Sequence, residues 1–361
     1  MSMRKIILII CLFVIQYNTA QVAKYSNEFL NVGVSARALA MANANIASVN
    51  DVSAGYWNPA GLLFQQSNLQ LGLMHAEYFA GIAKYDYIAA AKRIDSNSVA
   101  CLSFIRFGVD NIPNTLDLVD ANGNVDYSRI KSFNAVDAAV LLSYARNIIK
   151  IKGLKIGGSF KVIRRTLGDF GGSWGFGMDI GGMYDYKKWR FAAMGRDITG
   201  TFNAWTYDLT PEAKNTFATT GNEIPNNSVE VTVPKLILGV TRKFYFWKER
   251  FSVLAEFNCV NTFDGMRNTV IRSKVWSCEP MLGMELGYKG FVYFRAGIGN
   301  IQKQLNAKGD GFETTYQPNM GVGIKYKVFA LDYALTDIGD RSIALYSHIF
   351  SLKIDINKKF K

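Results

Sequence analysis

Tyr346-Ser347-His348-Ile349-Phe350-Ser351-Leu352-Lys353-Ile354-Asp355-Ile356-Asn357 is the stretch that decides how this chain folds. Tyr346, His348, Phe350, Leu352, Ile354 and Ile356 fall on one face of an extended backbone. Ser347, Ser351, Lys353, Asp355 and Asn357 fall on the other, with Ile349 out of step. A period of two belongs to a strand with one apolar and one wet face. Working outward, the pattern returns at Trp174, Phe176, Met178, Ile180 and Tyr184 against Asp179 and Asp185. It returns again at Phe251, Val253, Ala255 and Phe257 against Glu256 and Asn258, and at Phe329, Leu331, Tyr333 and Leu335 against Asp332 and Thr336.

Read this way, the chain is all-β. Fourteen strands are predicted, at 68–79, 83–94, 97–108, 133–147, 153–166, 173–186, 188–199, 233–246, 249–261, 273–288, 290–301, 314–327, 329–337 and 344–357. Many are longer than an ordinary globular strand and suit a tilted membrane strand, which needs about 9–11 residues in lipid. Alternate links are short, as at Asp95-Ser96, Tyr186-Lys187, Lys289 and Lys327-Val328, while others near 109–132, 200–232, 262–272 and 302–313 are long. Short turns at one end and long loops at the other are the layout of an antiparallel transmembrane outer-membrane β-barrel. Aromatics near strand ends (Tyr85, Tyr87, Tyr144, Trp189, Tyr245, Tyr288, Tyr326) fit girdles at a lipid interface. A soluble barrel would turn its charges outward. One of fourteen strands has a lumen too wide for side chains to fill, so the charged face is expected to line the inside.

Composition agrees. Of 361 residues 19% are charged, below the roughly 25% of a soluble domain, and 13% are aromatic, with 32 Gly and 7 Pro. Disorder, collagen and a disulfide miniprotein are excluded, as is a helical polytopic membrane protein, because no run of about 20 apolar residues follows the N-terminus. The net charge of +12 is dispersed, much of it at short turns such as Lys187-Lys188. That argues for a rim beside anionic lipid head groups and not for nucleic acid.

Arg4 and Lys5, an apolar run from Ile6 to Ile15, and Asn18-Thr19-Ala20 read as a secretory signal over residues 1–20, with cleavage after Ala20. Cys11 goes with it. Cys101, Cys259 and Cys278 remain, and two free cysteines on an apolar face are expected in preference to a cross-strand Cys259–Cys278 bridge. Residues 21–67 do not alternate and are expected to form a plug, leaving 68–361 as the barrel. Ser35 to Ala42 is rich in small residues. Pro59 restrains Asn58 to an extended backbone and Gly61 permits a bend. Arg37 and Asp51 are candidates to pair with lumen charges that include Lys161, Asp179, Arg196, Glu256, Glu285, Arg295, Asp332 and Lys353.

Enzymatic signals are weak. Gly171-Gly172-Ser173-Trp174-Gly175 matches a nucleophile elbow in letters only, since strands are expected on both sides and only His75 and His348 exist. Asp120 to Asp126 resembles a calcium loop, but Val125 and Lys131 occupy the positions that want glycine and glutamate. No enzyme activity, metal or cofactor is expected.

Asn31-Val32-Gly33-Val34-Ser35-Ala36-Arg37-Ala38-Leu39-Ala40-Met41, then Asp51 and Tyr56-Trp57-Asn58-Pro59-Ala60-Gly61-Leu62, resembles the opening of the PorV/PorQ family. Those are barrels of Bacteroidetes associated with type IX secretion and distantly FadL-like. Later blocks at Gly157–Lys161, Pro234–Gly239 and Leu331–Asp337 extend the resemblance over most of the mature chain. It implies a fourteen-stranded barrel whose plug, through Arg37, Asp51, Trp57, Asn58, Pro59, Ala60 and Gly61, shapes a lumen constriction. It also implies a non-enzymatic protein-secretion role, with a large translocon subunit and exported cargo as partners beside outer-membrane lipid. Loops 109–132 and 200–232, with apolar tips Ile112, Pro113, Phe202 and Trp205, are the expected cargo contacts. The alternative is a FadL-like transporter of hydrophobic small molecules, which would need an apolar pocket near the plug and a break in wall pairing.

Overall fold

The computed structural model describes residues 26–116, 118, 123–306, 310–336, 338 and 346–357. Residues 1–20, expected to be a signal sequence, Asp120 to Asn122 of the calcium-like loop, and the last four residues lie outside them.

Seventeen strand segments follow in order: β1 (Leu69–Tyr78), β2 (Ala83–Asp95), β3 (Ser98–Asn114), β4 (Lys131–Asn147), β5 (Leu154–Leu167), β6 (Gly171–Tyr186), β7 (Trp189–Arg196), β8 (Thr201–Tyr207) and β9 (Ser228–Thr232). Then come β10 (Lys235–Phe246), β11 (Phe251–Thr262), β12 (Ile271–Arg272), β13 (Ser277–Tyr288), β14 (Val292–Leu305), β15 (Phe312–Tyr326), β16 (Phe329–Thr336) and β17 (Ser347–Ile356). They make fourteen antiparallel staves. β7 and β8 both pair with β6 and form one interrupted stave, and β9 with β10 forms the next, alongside β8 and β7 respectively. β12 is a two-residue pairing on β13 outside the circuit. The ring closes where β1 meets β17, from Leu69↔Ile356 to Glu77↔His348. Closure leaves no strand edge to be satisfied in hydrocarbon. All fourteen expected strands are present; the region read as a loop at 200–232 adds β8, β9 and a helix, Pro211–Thr219.

The faces are inverted relative to a soluble protein. Outward-facing Leu73, Ile88, Leu142, Phe294 and Phe350 are exposed, whereas inward-facing Lys161, Asp179, Glu256 and Arg295 are buried. An apolar outside around a polar lumen is the signature of a membrane-spanning barrel.

Residues 26–67 occupy the lumen. They carry two short helices, Ala36–Ala40 and Ala54–Trp57, and a 3-10 segment, Pro59–Phe64. The hydrophobic core is theirs: Val34, Leu39, Ile46, Val49, Trp57 and Leu62 pack on wall residues such as Tyr85, Tyr87, Ile105 and Ile163. Wall glycines let the two approach. A Cβ on Gly157 would lie 2.7 Å from Ala60 N, one on Gly321 2.6 Å from Ala40 Cβ, and one on Gly239 2.6 Å from Ile46 Cγ1. Gly61 serves the same end, because its Cβ would meet the Val49 carbonyl at 2.8 Å. Close approach, and not the bend expected from sequence, is what requires glycine there.

The two cysteines on β11 and β13 are bridged, Cys259 to Cys278, with Cα atoms 6.2 Å apart. This corrects the expectation of free thiols. Cys259 pairs with Pro280 and Asn261 with Cys278, so the bridge is a diagonal cross-strand contact. Cys101 is free and buried.

Candidate functional site

The plug is held to the wall by buried ion pairs. Arg37 leaves the first helix and meets Glu285 of β13 at 2.8 Å, with Asn45 Oδ1 accepting from its Nη1 at 2.6 Å. Glu285 also pairs with Arg295 at 2.7 Å, and Arg295 with Asp332 at 2.7 Å. On the other side Asp51 accepts from Lys353 Nζ at 2.9 Å and from Ser53 N at 3.0 Å. Burial alone would raise the Asp51 pKa, but Lys353, the Ser53 hydrogen bond and Arg37 outweigh it and hold the carboxyl below the usual carboxylate range. For Arg37 burial disfavours the charge, and Glu285 overrides it, so the guanidinium stays charged.

The Tyr56–Gly61 block is placed by backbone geometry. Asn58 is extended (φ −160°, ψ 106°) ahead of Pro59, and its Oδ1 accepts from Ala60 N at 3.2 Å, capping the segment that follows. Its Nδ2 donates to Ile46 O and to Gly182 O of β6, each at 3.3 Å. Trp57 Nε1 donates to Val34 O at 2.8 Å, and Arg196 of β7 donates to Tyr56 O at 3.1 Å while lying over the Tyr56 ring. Arg37, Asp51 and Trp57 to Gly61 are therefore gathered in one buried body.

That body divides the lumen into two chambers of mixed polar and apolar lining. The one at the short-turn end, about 560 Å³, is lined by Arg37, Phe64, Lys187, Arg190, Arg295 and Lys353 among others. The one at the long-loop end, about 460 Å³, is lined by Trp57, Arg196, Lys235, Glu279, Asn300 and Gln317 among others.

Sequence reading missed the break in the seventh stave. Ile180 pairs with Gly195 and Phe176 with Phe202. Three residues of β6 (177–179) thus face six (196–201), a bulge three residues deep. Asp197 (φ 59°) and Gly200 (φ 66°) take left-handed backbone to make it. A buried cluster pins the bulge: Lys161 lies 2.8 Å from Asp179 and 2.6 Å from Asp197, and Asp197 N donates to Asp179 Oδ1 at 2.7 Å. Asp197-Ile198-Thr199-Gly200 is a turn sequence at the point where the strand read at 188–199 gives way to the loop read at 200–232, and was the one signal available.

From the bulge, β8 leads outward to an apolar pocket of about 270 Å³ under the helix Pro211–Thr219. Leu116, Phe133, Phe170, Leu209 and Phe217 line it, with Phe133 and Phe170 edge-to-face at 5.1 Å. The apolar tips expected on loops sit elsewhere. Ile112 and Pro113 belong to β3, with Pro113 at the pocket, and Phe202 and Trp205 belong to β8. Trp205 is 9% exposed and stacked on Tyr207.

Ser173 of the elbow-like motif is 1% exposed near the start of β6, with strand and not helix after it. Among the described residues no group of three or more His, Cys, Asp or Glu is placed to hold a metal ion.

No protein-family model matches the chain, and no curated protein matches it. Solved structures do. The toluene transporter TbuX of Ralstonia pickettii aligns over 90% of this chain and 99% of its own, at 14% identity and a TM-score of 0.55. The monoaromatic hydrocarbon channel CymD aligns over 91% and 99%, at 14% identity and 0.56. A Pseudomonas aeruginosa FadL homologue aligns over 89% and 98%, at 11% identity and 0.51. The shared property is the fold: a fourteen-stranded, multi-pass barrel of the outer-membrane type.

These likenesses overturn the PorV/PorQ assignment and the type IX secretion role drawn from it. The barrels that match across nearly their whole length are small-molecule channels. The opening block that resembled the secretion family is the lumen filling of a plugged barrel. The side chains expected to touch cargo are wall residues, so neither a translocon subunit nor exported cargo has a contact surface assigned to it.

Proposed function

We propose that this protein is an outer-membrane transporter of hydrophobic small molecules. The observation that carries the reading is the broken seventh stave, with an apolar pocket at the outer end of β8 and a wall bulge at its inner end. The plug separates the two lumen chambers, and charged and amide side chains make up much of the lining of each. A solute caught among Phe133, Phe170 and Phe217 instead moves along β8 toward the bulge, where Phe202 of the strand and Ile198 of the bulge are exposed. Passage into the hydrocarbon beside the wall then needs no desolvation of the lumen charges. The channels for toluene and monoaromatic hydrocarbons with the same fold support this class of solute.

The test is uptake of radiolabelled toluene by cells that lack their own channel and express this chain. Uptake above the empty-vector control, reduced several-fold by Phe170→Asp with the barrel still inserted, is expected. Uptake equal to the control, or unchanged by Phe170→Asp, would sink the reading.

A further inference from the structure

Lys235 and Arg196 stand directly opposite each other on β10 and β7. They are 9% and 6% exposed, and both line the outer chamber. Like charges facing across an antiparallel pair repel, and burial withholds the water that would screen them. Among the described residues neither forms a salt bridge. Lys235 Nζ donates to Asn31 Oδ1 at 3.1 Å, and Arg196 is occupied by the Tyr56 carbonyl and ring. Glu28 and Glu279 also line the chamber, but Glu28 is engaged by Asn31 Nδ2 at 2.8 Å and neither carboxylate is bonded to the cation pair. Arg267 is already paired with Asp264.

The rest of the lining sets the second half of the recognition. Trp57, Ile46 and Ile237 form an apolar floor at the plug, and side-chain amides including Asn300, Gln302, Gln317 and Asn319 form the wall toward the long loops. Amides pair with hydroxyls as donor and acceptor alike, and have nothing to offer an alkyl chain. A volume of about 460 Å³ lies within the range of small-molecule sites.

We propose that the outer chamber is a binding site for a hydroxyl-bearing organic acid of sugar-acid size, its carboxylate bridging Lys235 and Arg196 and its hydroxyls meeting the amide wall. Asp179 and Asp197 act on Arg196 and Glu28 on Lys235 only at longer range, and the ligand supplies the directly bonded carboxylate that neither cation has. This site is separate from the apolar pocket under the helix, so it stands or falls independently of hydrocarbon transport.

The experiment is titration calorimetry on the full chain in detergent micelles at low salt, with galacturonate, galactose and octanoate as probes. Galacturonate is expected to bind, with galactose and octanoate at least tenfold weaker, one lacking the charge and the other the hydroxyls. Lys235→Gln is expected to weaken galacturonate at least tenfold and Lys235→Arg to retain it, with heat-modifiable mobility confirming a folded barrel in each. No galacturonate binding, octanoate binding as tight as galacturonate, or a folded Lys235→Gln variant that binds unchanged would each overturn the assignment. The three-probe comparison on the unaltered chain decides the ligand class even if a variant does not fold.

Discussion

Asp51 and Lys353, 302 positions apart, meet at 2.9 Å and tie the plug to the strand that closes the barrel. Asp51 is 5% exposed, so removing its partner leaves a carboxylate in the lumen with only Ser53 and the more distant Arg37 to offset it. Lys353→Met is expected to cost about 2–3 kcal/mol, less than the 3–5 of a fully buried pair because the Lys353 side chain keeps some solvent contact. Thermal unfolding in detergent measures it, and Asp51→Asn combined with Lys353→Met should recover part of the loss.

The same pair sets a pH dependence. The Asp51 carboxyl is held below its unfolded value of about 3.9. Its stabilisation is therefore fully present above that value and is lost as pH falls through the depressed folded one. The stability gap between the unaltered chain and Asp51→Asn should be constant from about pH 5 to 8 and shrink under stronger acid. A gap that widens on acidification would contradict the assignment.

Among the described residues Lys161 is the cation that forms salt bridges to both Asp179 and Asp197 at the wall bulge, and it is 2% exposed. Lys161→Met leaves two facing carboxylates without it and should destabilise the barrel by about 3–5 kcal/mol. Adding Asp179→Asn and Asp197→Asn should restore most of that. A folded single variant with an unchanged melting temperature would show that the cluster does not hold the bulge.

Gly157 faces the backbone of Pro59 and Ala60 with no room for a side chain. Gly157→Val should dislodge the plug, seen as a rise in single-channel conductance in a planar bilayer, whereas Val in place of the outward Gly158 should not. Equal conductance in both variants would mean that the plug is not seated on this groove.

The Cys259–Cys278 bridge closes a loop of 19 residues. On the chain-entropy account, reduction or the double Ser variant should cost about 3 kcal/mol. A melt insensitive to reductant would count against it.

The fourteen strands were legible because each alternates on its own, and Tyr346 to Ile356 needs no neighbour to be read. The plug's charges were legible as candidates, since Arg37 and Asp51 are isolated charges in an apolar, small-residue stretch. Their partners were not, because Glu285 and Lys353 are chosen by ring closure, a contact between distant segments. The bulge was missed because the strand was read as ending at 199 with a loop over 200–232, so β8 was not seen as its continuation, and the apolar pocket because it is assembled from four separate loops and strand ends. The secretion-family reading went astray at Asn31 to Leu62: those residues are constrained by having to fill a lumen, and that constraint says nothing about what the barrel meets outside.

The seam between β1 and β17 has a consequence for biogenesis. Plug residues Ala36 and Asp51 bond to Ser351 and Lys353 of the last strand, while Val52 bonds to Gln70 of the first. One inner segment thus grips both sides of the seam, so that seating it and shutting the ring reinforce each other, as a core clasped by the two staves that meet last would hold a cask closed from within.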